Sequence, residues 1–202
     1  MLRKLFVAAL SACILFTVPI HAAQSSAAND DKVKEESITD SPRDSLDDAM
    51  ITGARFVMWS NMFGVPGITS SKPKYEYFSE DTTDLYIDDL AISYDNDTSI
   101  AENVSLFYDY DKCDESHQTM KALAFFAAVE YDTPIKWTMA EKGKVFEETS
   151  KIFNKMCSSY EENQKKIESG TMVAFHYSKC GTYYFSYNKK VGLMLSIKDF
   201  KK

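Results

Sequence analysis

The chain is poor in the residues on which enzymes most often build their chemistry. It has three histidines and four cysteines in 202 residues. It has no Gly-x-Ser-x-Gly, His-Glu-x-x-His, Cys-x-x-Cys or phosphate-loop pattern, which removes the motif-based routes to a hydrolase, a zinc peptidase, a dithiol oxidoreductase or a nucleotide-binding enzyme. No motif implies a cofactor. Positive charge is nearly missing from residues 76–115, where thirteen acids face Lys112 alone. A tract of that sign repels phosphate, so nucleic acid is excluded as its partner. It suits a basic protein or a divalent cation, with a solvated, solubilising surface as the plain alternative. Residues 116–202 reverse the balance, with fourteen lysines and nine acids.

Long apolar runs are scarce as well. The one at the start, Leu5–Val18, follows Arg3 and Lys4 and is broken by Pro19. It falls short of the roughly 20 residues of a membrane span. A basic start, an apolar core and small residues at Ala22 and Ala23 make up a secretory signal peptide over residues 1–22, of the compact bacterial type that points to the periplasm. Two other readings share this segment: a retained membrane anchor, and a lipoprotein built on Leu10-Ser11-Ala12-Cys13. The lipoprotein reading lacks a polar tether, because Cys13 continues into Ile14, Leu15 and Phe16. Export after cleavage leaves 180 residues and moves the formal charge from −7 to −9, since two bases and no acids are removed.

Residues 23–44 carry almost no large apolar side chain and read as a flexible linker. A single domain is expected over 45–202, long enough to bury a sizeable core. Its first helix is expected from a Ser45 cap to Gly64, with the stripe Leu46, Met50, Gly53, Val57 and Phe63 widened by Phe56 and Trp59. Three strands are expected next, Lys74–Phe78, Leu85–Tyr94 and Val104–Tyr110. A helix over 114–131 carries Met120, Leu123, Ala124, Ala127 and Tyr131 on one face. The third helix starts at Thr138, which makes a capping box with Glu141, and stops at Ser169-Gly170. The strands Thr171–Lys179, Thr182–Asn188 and Val191–Lys198 close the chain. The order α-βββ-α-α-βββ gives an α+β fold, an antiparallel sheet with helices packed on one face.

Export leaves three cysteines, Cys113, Cys157 and Cys180. Cys113 and Cys157 both lie about 27–29 Å along their helices from the helical connection, at 1.5 Å per residue. Oxidising export then favours a Cys113–Cys157 disulfide, which closes a loop of about 43 residues for roughly 4 kcal/mol. The alternative is a tetrahedral metal site from Cys113, His117, His176 and Cys180. Asp95-Asn96-Asp97 opens like a calcium loop but places Ile100 and Leu106 where Gly and Glu are required, so it reads as a polar turn.

All twelve tyrosines lie after residue 74, most of them on expected strands. Tyr serves interfaces well, burying its ring while its hydroxyl stays satisfied, although it also simply favours strands. Tyr86, Asp88, Asp89, Tyr108, Asp109, Tyr110 and Asp111 are therefore the candidate binding surface. The chain reads as an exported protein-binding module, of an inhibitor or immunity type that covers a basic site on a toxin or hydrolase. A small envelope hydrolase using His176 and Cys180 is the second reading, and a structural envelope component the third. No stable membrane insertion is expected once the signal is removed.

Overall fold

The computed structural model describes residues 43, 45–65, 68, 73–77, 79–113, 115–132 and 138–198. The expected signal peptide and nearly all of the linker lie outside these residues. Arg43, at the end of the linker segment, belongs to the domain: its N–H donates to the Glu130 carbonyl at 3.0 Å and its guanidinium pairs with Asp47 at 3.0 Å.

The elements are α1 (Ala49–Met62), β1 (Lys74–Tyr77), β2 (Thr82–Ile87), β3 (Leu90–Asp95), β4 (Ala101–Phe107), α2 (Ser116–Glu130), α3 (Met139–Glu168), β5 (Val173–Tyr177), β6 (Thr182–Asn188) and β7 (Gly192–Lys198). The α+β class holds. Four strands, rather than three, precede α2, because 85–94 is a hairpin and not one strand. Asp88 turns the chain between β2 and β3 at φ 53°, a left-handed conformation that Asp tolerates better than most residues.

All seven strands join one antiparallel sheet in the order β1-β2-β3-β4-β7-β6-β5. The register aligns two apolar rows across five strands. One runs Leu85, Ile92, Val104, Ile197, Tyr183, and the other Ile87, Leu90, Leu106, Leu195, Phe185. These rows form the face that the helices cover. The opposite face is small and polar at its centre, where Ser105 and Ser196 share a 2.8 Å hydrogen bond. Period-two alternation therefore separates core from outer face in every central strand.

Helix α1 begins at an Asp48 cap rather than at Ser45: the Asp48 carboxylate accepts from the N–H groups of Met50 and Ile51. Its buried face runs Ala49, Gly53, Phe56, Trp59, with Met50 nearly half exposed. The residues expected to widen the stripe are thus its centre. Helix α2 is buried on every side from Thr119 to Glu130, as expected for a helix enclosed by two others and a sheet. Phe125 and Phe126 meet Tyr183 edge-on at 6.1 and 5.5 Å. Helix α3 carries the expected Thr138–Glu141 capping box and runs 30 residues to the Ser169 cap.

Gly181 leads into β6 where the strand meets the end of β7. A Cβ at this position would lie 2.2 Å from the Lys198 carbonyl oxygen. Gly181→Ala is expected to destabilise by about 1–3 kcal/mol, the usual cost of overpacking. A urea melt with an unchanged slope checks it.

Candidate functional site

The chain between β4 and α2 builds a cleft. Tyr108 N–H donates to the Leu193 carbonyl at 3.0 Å, which pins the segment after β4 to the start of β7. A single 3-10 turn follows over Tyr110–Lys112. Tyr108 and Tyr110 are buried by this path, and Asp109 and Asp111 are left exposed. The β2–β3 turn adds Asp89, α2 adds Gln118 and Lys121, α3 adds Tyr160 and Glu168, and the β6–β7 hairpin adds Tyr187. Together they line a cleft of about 470 Å³.

Its chemistry is acidic and aromatic. Four carboxylates, Asp89, Asp109, Asp111 and Glu168, face one lining ammonium, that of Lys121. Lys121 is tied to Asp89, and its side chain is only 5% exposed. Lys112 lies 3.3 Å from Asp109, but both are well exposed, so the pair is weakly held. The rings of Tyr110 and Tyr160 lie against each other, with centroids 3.8 Å apart and planes tilted by 31°. Burial raises the Tyr160 phenol pKa above its usual range, and the charges of Glu168 and Asp111 raise it further. Gln118 adds a buried Oε1 with no hydrogen-bond donor among the described residues. Carboxylates beside paired phenol rings suit a guanidinium or ammonium, through charge-assisted hydrogen bonds and cation–π contact.

Five of the seven expected surface residues, Asp89, Tyr108, Asp109, Tyr110 and Asp111, meet in this cleft. The other two do not line it. Asp88 occupies the hairpin turn. Tyr86 shares the outer sheet face with Asp84, to which its hydroxyl donates at 3.4 Å. Sequence reasoning missed Lys121, Tyr160, Glu168 and Tyr187, which come from distant elements. Lys121 did leave a signal, as a lone charge entering the apolar run Ala122–Val129.

The cysteine expectations require correction. No disulfide pair joins Cys113, Cys157 or Cys180 among the described residues, so the structure does not show the expected Cys113–Cys157 bridge. Tyr110 spans the two positions: its carbonyl accepts from Cys113 N–H at 3.0 Å, while its hydroxyl donates to the Cys157 carbonyl at 3.3 Å. The Cys113, His117, His176, Cys180 metal set does not assemble, and no cluster of three or more suitable ligands exists among the described residues. Cys113 accepts from Thr119 near the start of α2, whereas the Cys180 thiol reaches the Val129 carbonyl near its end. Ten residues of helix, about 15 Å, separate those two contacts. Cys180 is fully buried, and its thiol donates to the Arg43 carbonyl at 2.9 Å. His176 is part-exposed, with its Nδ1 3.4 Å from Lys155 Nζ.

Glu130 lies at the end of α2, only 4% exposed, and accepts from the Tyr183 hydroxyl at 2.8 Å. Burial raises its pKa above the usual 4.5, against the lowering effect of Tyr183, Ser178 and Arg43. The folded state therefore holds this proton more tightly than the unfolded chain does. Stability is lost as pH rises from the ordinary value through the raised one. Glu130→Gln is expected to be more stable than the wild type at neutral pH, with the difference closing under acid. Thermal melts across pH 3–8 check this, and a constant difference would contradict it. No protein-family model, curated protein or solved structure matches the chain.

Proposed function

We propose that this is an exported, periplasmic protein-binding module whose acidic cleft receives an arginine or lysine side chain of a basic partner. The observation that carries the reading is the convergence of four carboxylates and the packed Tyr110–Tyr160 ring pair on one cleft. The most specific form is an inhibitor or immunity-type protein that covers a basic site on a toxin or hydrolase. Acid steers such a partner from a distance, and the rings then hold it at short range. The export signal at residues 1–22 supports the location. Once it is removed, the remainder relies on no membrane insertion, and no helix among the described residues is long and apolar enough to cross a membrane.

A hydrolase built on His176 and Cys180 has less support, because the thiol donates to a main-chain carbonyl within the core. A structural envelope component makes no use of the cleft. Capture from envelope extract, with wild type and an Asp109→Lys, Asp111→Lys variant as parallel baits, separates these readings. One basic protein recovered by the wild type alone is the expected result. Equal recovery by both baits would sink the reading.

A further inference from the structure

The opposite end of α2 borders a second cleft, of about 540 Å³, which the acidic site leaves unused. Its ionisable groups do not all find partners of opposite sign. On α3, Lys151 is held by Glu148 at 2.6 Å and by Glu147 at 3.2 Å. Glu130, from α2, accepts from Tyr183. Lys155 is different. Among the described residues no carboxylate pairs with it, and its ammonium lies 3.4 Å from Nδ1 of His176 on β5. Lys179, in the turn after β5, adds another cation to the lining. Two basic groups are thus held together at the cleft wall without an acid between them.

We propose that this cleft binds a small organic oxyanion, with a carboxylate or phosphate head held between Lys155 and His176. An ammonium can only donate, so Nδ1 of His176 accepts from Lys155 and the ring proton sits on Nε2. An entering anion accepts from the Lys155 ammonium and from Nδ1–H once the ring is protonated there, in place of the direct Lys155–His176 contact. The cleft exceeds the size of a bare head group, and beside its charged groups it offers an apolar and aromatic wall of Ile152, Tyr131 and an exposed Tyr177. The ligand therefore carries an apolar body. Burial, and the charge of Lys155 after it, lower the His176 pKa below 6.5, which keeps the ring neutral in the empty cleft. An arriving anion offsets that charge, so binding takes up a proton at His176.

The test titrates phenyl phosphate and benzoate separately into the full chain, following the His176 ring by NMR and binding by calorimetry in two buffers of different ionisation enthalpy. Saturable binding of at least one is expected, with a raised His176 titration midpoint and net proton uptake. The tighter of the two assigns the head group. Lys155→Ala should weaken binding by about tenfold or more, the loss of one charge-assisted hydrogen bond. His176→Gln should abolish the proton uptake. Lys189→Ala, in the β6–β7 turn away from the cleft, should leave both unchanged. Near-UV circular dichroism confirms that each variant is folded. The proposal is overturned if neither ligand saturates, if the His176 midpoint does not move on binding, or if Lys155→Ala binds like the wild type.

Discussion

Phe126→Ala is expected to destabilise the domain by about 3–5 kcal/mol, the usual range for removing a fully buried aromatic ring. The ring is inaccessible to solvent and sits where the layers meet. It lies 5.5 Å from Phe125 on its own helix, 5.5 Å from Tyr183 on β6 and 6.4 Å from Phe175 on β5. Interiors pack densely, so the neighbours cannot collapse fully into the space left behind. A loss of that size is a large part of the roughly 5–15 kcal/mol that holds a domain folded. Chemical denaturation should show the midpoint falling steeply. A change below about 1 kcal/mol would mean that α2 does not dock on the sheet as described.

Reversing Asp109 and Asp111 to Lys is expected to slow association with a basic partner by at least about tenfold at low salt, because steering by a one-signed cleft raises association rates by 10–10³. Both side chains are exposed, and neither holds a buried group, so the fold should survive. Asp88 and Asp89 belong to the same acidic tract, but Asp89 must be left alone. It is the partner of the buried Lys121 ammonium, and Asp89→Lys would remove that partner and set a second cation against a charge with almost no access to water. The rate difference between wild type and the double variant should shrink as salt rises, since screening acts on exposed charges. Dissociation should change less than association. Stopped-flow measurements at several salt concentrations separate the two rates.

The signals that could be read along the chain were those with a local physical cause. The Thr138–Glu141 box set the start of α3, and the expected strand Thr182–Asn188 matched β6 to the residue. The Asp95 turn also read correctly, with its carboxylate accepting from the N–H groups of Asp97 and Thr98. The β2–β3 hairpin was hidden because Asp88-Asp89 carries no glycine or asparagine to mark a left-handed turn. The face of α1 was misjudged because Met50 is apolar yet nearly half exposed, and because Asp48, rather than Ser45, caps the helix. The acidic half of the cleft was legible, since Asp109 and Asp111 flank Tyr110 in sequence. Its other half was not, because Tyr160 and Tyr187 reach the cleft only through the packing of α3 and β6.

The acidic, tyrosine-lined cleft as a receptor for a basic side chain can be tested before any partner is known. The protein is labelled at its tyrosine rings and titrated with a short peptide bearing one arginine, alongside the same peptide with citrulline in its place. The account predicts saturable shifts of the Tyr110 and Tyr160 ring signals with the arginine peptide, weakened by salt and absent in the Asp109→Lys, Asp111→Lys variant. Citrulline, which keeps the shape and loses the charge, should leave the rings unmoved. Equal shifts with both peptides, or arginine-dependent shifts that appear only at tyrosines outside the cleft, would contradict it.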